Sequence, residues 1–306
     1  MSELITVHYN EKPIYDIVIE KDFSKLAMKV SELGISGRKL CIVTDSNVGE
    51  LYADEVKNEL EKTGNAVFVY TFKAGEASKN LNTVEDVYEY LIINKFDRKD
   101  MIVALGGGVV GDLAGFTAAT YLRGIDFIQV PTSLLAQVDS SIGGKTGVDF
   151  RAYKNMVGAF HQPRLVYMNL SVLGSLSERL FNSGFGEIIK HGFIRDKEYY
   201  TWLKENIQYI KSHDYDALEN MIAISCNIKR RVVELDPTEK GDRALLNFGH
   251  TLGHAIEKLK NFELYHGECV VLGMAAALEI SRTRQLISDA EYEDAICLLY
   301  TSDAAD

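Results

Sequence analysis

The sequence is poor in proline, tryptophan and cysteine. Its 306 residues include only four prolines and one tryptophan, and its four cysteines are scattered with no CxxC pair. This cysteine pattern argues against a disulfide scaffold or a cysteine metal site, so we expect free thiols. Residues 1–30 show no signal-peptide pattern, and no apolar run is long enough to span a bilayer. We therefore expect a cytoplasmic protein with no membrane partner.

The chain also lacks an excess of positive charge. Lysine and arginine total 33 against 44 aspartates and glutamates, for a net charge of −11. This balance argues against a nucleic-acid partner and against attraction to anionic membranes. An anionic ligand would need local basic residues to hold it. With 46% hydrophobic residues, the chain can build one large or two ordinary domains with a sizeable core.

The pattern of apolar residues changes near Ser175. Before it, short β-rich runs such as Ala66–Phe72 and Met101–Leu105 alternate with helical stretches, which predicts an α/β fold with a mostly parallel sheet covered on both faces. After it only helical patterns follow, among them Arg243–Lys260, and the helical pattern fades from Cys297. We therefore predict an α/β domain over 1–176 and an all-α domain over 177–306, packed closely with a cleft between them.

A dense polar cluster lies between Arg243 and Glu268 and holds three of the seven histidines. His250 and His254 are one helical turn apart, a spacing that lets a helix offer two imidazoles to one metal. Arg243 and Asn247 precede them on nearly the same face, so an anion has a place beside the metal. A pair of core or surface histidines explains the spacing as well. A third ligand must come from elsewhere, and His266 and Glu187 are the candidates.

Glycine-rich segments follow several predicted strands. Gly106, Gly108 and Gly111 satisfy GxGxxG between a strand and a helix, where a pyrophosphate can approach the helix N-terminus, although a plain tight turn fits too. Asp45 ends an earlier strand and either binds a ribose or caps the next helix. Gly75–Lys79 is either a loop that starts a helix or a second cofactor contact.

Two further segments carry charges in suggestive places. Gly143-Gly144-Lys145-Thr146 resembles the end of a P-loop, but Asp139 stands where that motif has its first glycine. The segment is therefore either an anion-binding loop or a solvated turn. Glu187 and Lys190 lie three apart on one helical face, either as an ion pair or as a metal ligand with a lysine beside it.

Taken together and in order, these segments resemble the 3-dehydroquinate synthase family. The resemblance runs from about residue 38 to 285 and rests on the set, not on one motif. The matching segments are Gly75–Lys79, Leu105–Leu113, Tyr121–Gly124, Pro131–Asp149, Gly184–Lys190, Lys229–Glu239 and Arg243–Glu257.

The resemblance implies a Rossmann-like NAD-binding domain followed by a helical domain, with NAD and a divalent metal, usually zinc and sometimes cobalt, as cofactors. It implies conversion of 3-deoxy-D-arabino-heptulosonate 7-phosphate to 3-dehydroquinate and phosphate in the shikimate pathway. The steps are oxidation at C5, phosphate elimination, reduction, and an intramolecular aldol reaction after ring opening. It also implies a homodimer.

The resemblance assigns residues by position. Glu187, His250 and His266 would be the metal ligands, so His254 would leave the metal and face the substrate. The catalytic set would be Asp139, Lys145, Lys190, Glu239 and His254. The substrate-binding set would be Asn155, Lys229, Arg243, Asn247 and Arg123, the last reaching the partner's site. The NAD contacts would be Asp45, Asn47, Gly75, Glu76, Lys79, Gly108, Val109, Asp112, Thr132, Ser133, Lys154 and Ser175.

Two departures from the family pattern bear on activity. Gly174-Ser175-Leu176 replaces a usual threonine–leucine pair, and the chain ends before a lysine-rich motif that helps bind the substrate carboxylate. We therefore expect a C-terminally truncated chain that turns over more slowly than its full-length parent. The alternatives are another sugar phosphate cyclase such as 2-deoxy-scyllo-inosose synthase, a metal-dependent polyol dehydrogenase, and a binding remnant without activity.

Overall fold

The chain forms two compact units, Met1–Val172 and Leu173–Asp306. The computed structural model describes residues 3–151, 153–236, 241–260 and 263–301. None of the helices in these ranges combines the length and apolar character that a bilayer crossing requires.

The first unit is built on a seven-stranded sheet in the order β1-β2-β9-β6-β5-β3-β4. Only β1 and β2 pair antiparallel, and the remaining neighbours are parallel. The predicted mostly parallel sheet is therefore confirmed. A separate two-stranded antiparallel sheet joins β7 and β8. The strands are β1 Glu3–Tyr9, β2 Lys12–Glu20, β3 Lys39–Asp45, β4 Ala66–Phe72, β5 Met101–Gly106, β6 Asp126–Pro131, β7 Lys145–Phe150, β8 Tyr153–Phe160 and β9 Leu165–Asn169.

Helices cover both faces of the large sheet, because successive side chains of a strand point to opposite faces. In β3, Leu40 and Ile42 pack into a core with residues of α1 and α2, whereas Cys41 and Val43 pack on the other face with residues of α3 and α4. The four helices are α1 Leu26–Ser31, α2 Ser46–Glu61, α3 Leu81–Ile93 and α4 Gly108–Thr120.

The second unit is helical throughout its described residues. Short 3-10 segments cover Ser171–Ser175 before α5 and Asp242–Asn247 before α8. Helix α9 packs against both α5 and α8, and α7 packs against α5. The helices are α5 Glu178–Arg195, α6 Lys197–Lys211, α7 Tyr215–Leu235, α8 His250–Leu259, α9 His266–Thr283 and α10 Asp289–Tyr300.

Three local predictions were wrong. The predicted helix over Arg243–Lys260 is interrupted, because Gly249 takes a left-handed conformation with φ of 80° and α8 begins only at His250. Arg243 and Asn247 therefore belong to a separate 3-10 segment. The segment from Lys145 onward, interpreted as an anion-binding loop or a solvated turn, is the first strand of the β7–β8 hairpin, and anion binding there stays a prediction. The helical pattern does not fade at Cys297, since α10 continues to Tyr300, while residues 302–306 lie outside the described residues.

Candidate active site

The first unit gathers its predicted cofactor residues at the carboxyl edge of the parallel sheet. Asp45 ends β3, and Gly106 and Pro131 end the neighbouring strands β5 and β6. The chain leaves β3 toward β4 on one side and leaves β5 toward β6 on the other, so the topology switches between β3 and β5. Ligands of open α/β sheets bind at such a switch point.

The N-terminus of α4 opens at this switch point. Gly107 is the N-cap residue and provides no side-chain cap to the first N–H groups of the 13-residue helix. Gly108 and Val109 form its first turn, and a Cβ on Gly107 would lie 3.4 Å from Ser133 Oγ. Thr132, buried, and Ser133 follow β6 directly. N–H groups that no N-cap side chain occupies, together with the helix dipole, suit a phosphate here.

Asp45 acts as the N-cap of α2. Its Oδ1 accepts hydrogen bonds from the backbone N–H groups of Asn47 at 2.9 Å and Val48 at 3.0 Å. The capping role considered from the sequence is thus present. Ribose binding by Asp45 and cofactor binding by the exposed Asn47 remain predictions.

A buried lysine connects three predicted site residues. Lys79 is 5% exposed, and its Nζ lies 2.7 Å from Asp112 Oδ2 and donates to Asn155 Oδ1 at 2.6 Å. Burial opposes its charge, but the carboxylates of Asp112 and Glu76 outweigh that effect and raise the pKa of Lys79. Glu76 also pairs with Lys154, with Oε1 and Nζ 3.6 Å apart. Four predicted cofactor residues and one substrate residue therefore form one charged network.

Three other predicted residues of this unit occupy distinctive backbone positions. Asp139 lies in a short π-helical segment, Ala136–Ser140. Burial raises the pKa of the Asp112 carboxyl, and the nearby charge of Asp139 acts in the same direction. Lys145 is exposed and starts β7 after two glycines with positive φ. Arg123 is exposed and has φ of 71° directly after Leu122 with φ of 50°. Two successive non-glycine residues with left-handed backbone angles store strain, and such strain accumulates at functional sites.

The second unit brings the three predicted metal ligands together. Glu187 of α5 is fully buried, and its Oε1 lies 3.7 Å from His250 Nε2 of α8 and 3.7 Å from His266 Nε2 of α9. One ligand atom from each residue lies within 4.8 Å of the other two. Two imidazoles and one carboxylate form a donor set that leaves a coordination position open, as catalytic zinc sites do.

Close helix packing explains how three helices reach one point. A Cβ on Gly267 would lie 1.8 Å from Ser183 O of α5, and one on Gly273 would lie 1.9 Å from Gly249 O beside α8. Only glycine allows α9 to approach both helices so closely. Arg179 of α5 also holds the start of α9, because its Nε and Nη2 donate to the Glu268 carboxylate at 2.5 and 2.8 Å.

The electrostatics of the cluster favour a neutral imidazole at His250. Lys190, also buried, donates a hydrogen bond to Glu187 Oε2. Burial lowers the pKa of His250 to about 4. The charges of Lys190 and His266 act in the same direction, and the Glu187 carboxylate opposes them. A histidine must be neutral to bind a metal.

His254 lies beside this cluster without joining it. Its ring centroid is 5.3 Å from that of His250 and 5.8 Å from that of His266, and the residue is exposed. Its ligand atom instead groups with those of Glu257 and His266. The initial inference that His250 and His254 share one metal is not supported by this arrangement. Sequence reasoning gave Glu257 no role, although it follows His250 by seven positions on the same helical face.

The remaining predicted residues are distributed over the second unit. Lys229 of α7 and Arg243 are buried, and the 3-10 segment that carries Arg243 packs against α5 and α7. Asn247 is exposed at the end of that segment, and Ser175 is exposed before α5. Arg243 and Asn247 therefore do not continue the helical face of His250 and His254 as the sequence suggested, because they lie in the separate 3-10 segment. Glu239 lies outside the described residues.

The fold and site define the class first. A crystal structure of 2-deoxy-scyllo-inosose synthase with carbaglucose-6-phosphate, NAD+ and Co2+ superposes with a TM-score of 0.87 at 26% identity, covering 99% of this chain and 82% of that one. 2-epi-5-epi-valiolone synthase from Streptomyces hygroscopicus, with NAD+ and Zn2+ bound, gives 0.88 at 25% identity, covering 98% and 84%. The fold is that of the sugar phosphate cyclases.

Sequence similarity identifies the family within that class. Residues 69–183 match the 3-dehydroquinate synthase N-terminal family, and residues 184–304 match the 3-dehydroquinate synthase C-terminal family. The 3-dehydroquinate synthase of Acetivibrio thermocellus is 47% identical over 275 residues, which cover 90% of this chain and 76% of that protein. The chain belongs to the 3-dehydroquinate synthase family.

Proposed function

We propose that this chain is a 3-dehydroquinate synthase, a lyase that converts 3-deoxy-D-arabino-heptulosonate 7-phosphate to 3-dehydroquinate and phosphate. The observation that carries the proposal is the convergence of Glu187, His250 and His266 in a chain that shares 47% identity with a 3-dehydroquinate synthase.

The metal is a divalent cation held by Glu187, His250 and His266, and zinc is the first choice. The donor set fits, because imidazole nitrogen and carboxylate oxygen are ligands of zinc and cobalt. When bound, the metal would act as a Lewis acid that polarises and acidifies a substrate hydroxyl. Lys190 donates a hydrogen bond to Oε2 of Glu187, while Oε1 faces His250 and His266.

NAD is the proposed cofactor of the first unit. The N-terminus of α4 would take the pyrophosphate, and Asp45 would offer its second carboxylate oxygen to a ribose while it caps α2. The Lys79 network would hold Glu76 and Asp112 at this edge of the sheet. The cofactor would supply reversible hydride transfer at the substrate C5.

The polar residues around these centres have separate proposed tasks. In the second unit, Lys229, Arg243 and Asn247 bind the anionic substrate, and His254 exchanges a proton through its imidazole. In the first unit, Lys145 and Asn155 bind the substrate and Asp139 assists catalysis. Positioning and fixed charges make up much of what the protein contributes.

The test follows product identity, which does not depend on the turnover rate. The chain is incubated with NAD, zinc and the heptulosonate phosphate, while phosphate, 3-dehydroquinate and NADH are measured. We expect phosphate and 3-dehydroquinate in equal amounts with no net NADH. Glucose 6-phosphate is tried as a second substrate, because the chain is structurally similar to 2-deoxy-scyllo-inosose synthase. A cyclic product from glucose 6-phosphate instead of the heptulosonate would favour that activity. Net NADH with a simple polyol would indicate a dehydrogenase.

The proposed assembly is a homodimer in which Arg123 reaches the partner's site. The strained, exposed backbone at Leu122 and Arg123 supports this, and so does the apolar surface of the β7–β8 hairpin, where Tyr153, Met156 and Phe160 are all exposed. Light scattering after size exclusion should give twice the chain mass. A monomer at all concentrations would contradict the proposal.

A further inference from the structure

Glu257 is a buried carboxylate next to a proposed metal ligand. It lies on α8 with 5% exposure, and its Oε2 is 3.9 Å from His266 Nδ1. The other ring nitrogen of His266, Nε2, faces Glu187 Oε1 at 3.7 Å. The imidazole of His266 is therefore bracketed by two carboxylates, one on each nitrogen.

We infer that Glu257 is a positioning residue that fixes the tautomer and ring orientation of His266. With Glu257 facing Nδ1, the ring carries its proton there and presents the lone pair of Nε2 toward Glu187 and the metal. Metal-ligating histidines commonly donate their second N–H to a carboxylate in this way, which also raises their basicity. The inference rests on the proposed metal function and adds a residue to it.

The burial of Glu257 calls for charge or hydrogen-bond partners, and His266 faces it. A carboxylate buried in a helical unit loses hydration that only charge or hydrogen-bond partners restore. Glu257 follows His250 by seven positions, so the helix brings it to the same stripe as the metal ligand. The present 3.9 Å separation exceeds a hydrogen bond. The inference requires it to close to about 2.8 Å when Nε2 coordinates a cation.

A second cation is the competing use of this carboxylate. Ligand atoms of His254, Glu257 and His266 lie within 4.8 Å of one another. However, a neutral imidazole has a single lone pair for coordination, so His266 serves one cation at a time. Glu187 is fully buried whereas His254 is exposed, which favours the cluster around Glu187.

The experiment compares zinc binding by Glu257→Gln, Glu257→Asp and the control Glu263→Gln, which removes the same charge at an exposed position before α9. Zinc affinity is measured by competition with a chromogenic chelator, and coordination is followed by the visible spectrum of bound cobalt(II). We expect Glu257→Gln to weaken zinc binding by about 10- to 100-fold and to change the cobalt spectrum. Glu257→Asp should recover part of the affinity, and Glu263→Gln should match the parent.

Each other outcome is decisive. Unchanged affinity and spectrum in folded Glu257→Gln would overturn the inference while leaving the metal site intact. A parent chain that binds two cations, of which the variant loses one, would overturn it in favour of a second site. No zinc binding by the parent would reject the proposed function itself. If Glu257→Gln does not fold, nitrogen-15 NMR of the zinc-loaded parent decides, because the inference requires a proton on His266 Nδ1.

Discussion

Lys79 donates a hydrogen bond to Asn155 Oδ1 at 2.6 Å, although the two residues are 76 positions apart in the chain. The bond joins the loop after β4 to the β7–β8 hairpin. It also occupies the amide oxygen of Asn155, so the amide N–H groups are the ones left for an anionic ligand. The ammonium group of Lys79 contacts Asp112 and Asn155, so the lysine acts on ligands through these two side chains.

Removal of this lysine should destabilise the first unit. Lys79→Met leaves Asp112 without its cation, and breaking such a buried pair costs roughly 3 kcal/mol. Urea denaturation measures the free energy of unfolding. Lys57→Met is the control, because Lys57 and Glu61 form an exposed pair at 3.4 Å, for which a loss below about 1 kcal/mol is expected. Equal losses in both variants would contradict the role of the network.

Asp45 has two proposed tasks that one substitution separates. Asp45→Ser keeps a side-chain oxygen to cap α2 but removes the carboxylate proposed to bind the ribose. We expect near-parental stability and NAD binding weakened roughly tenfold, about 1.4 kcal/mol. Fluorescence titration with NAD measures this. Asp214→Ser, at the N-cap of α7, is the control and should leave NAD affinity unchanged. Parental NAD affinity in Asp45→Ser would limit Asp45 to capping.

Arg179 should support the metal site from a distance. Arg179→Ala releases Glu268 and loosens the first turn of α9, where His266 lies, so zinc affinity should fall roughly fivefold, about 1 kcal/mol. Arg282→Ala removes the pair with Glu279 near the other end of the same helix and is the matched control. Zinc competition assays compare the two variants. Equal effects would show that the helix responds as a whole and not at its N-terminus.

The four cysteines should differ sharply in reactivity. Burial raises the pKa of Cys41 and Cys226 to about 12, and Cys269 is buried, whereas Cys297 is exposed. A thiol with that pKa is ionised to about one part in ten thousand at pH 8. An aromatic disulfide reagent at pH 8 should therefore modify one thiol rapidly in the native chain and four after unfolding. Cys297→Ser should abolish the rapid phase, and its persistence would contradict the packing.

The sequence predicted the sheet and most helices because strands such as Ala66–Phe72 carry their own periodicity. It failed where a single backbone angle decides the structure. The apolar pattern continues through Gly249, so nothing in the periodicity reveals the left-handed residue that separates Arg243 from α8. The β7–β8 hairpin was missed because its turn includes Arg151, a residue with φ of 56° whose side chain does not mark a turn as glycine or asparagine would.

The candidate site also combines features that local sequence patterns predict with features that they cannot. Helical spacing alone suggested that His250 and His254 bind one metal, because spacing identifies only neighbours on the same helix. The partner of His250 comes from α5, 63 positions earlier; the residues alone left Glu187 and His266 as alternative candidates, and the family resemblance included both. Glu257 and Arg179 were missed because their roles depend on the close contact of α9 with α5 and α8.

The most direct test of the account is zinc binding by His250→Asn and His254→Asn, measured side by side in the metal-stripped chain. In the proposed site His250 binds the metal and His254 lies beside it. We therefore expect one zinc per chain with near-parental affinity in His254→Asn, and a loss of roughly 100-fold or more in His250→Asn, since a missing ligand costs more than a missing outer partner. Equal losses in both variants, or a larger loss in His254→Asn, would contradict it.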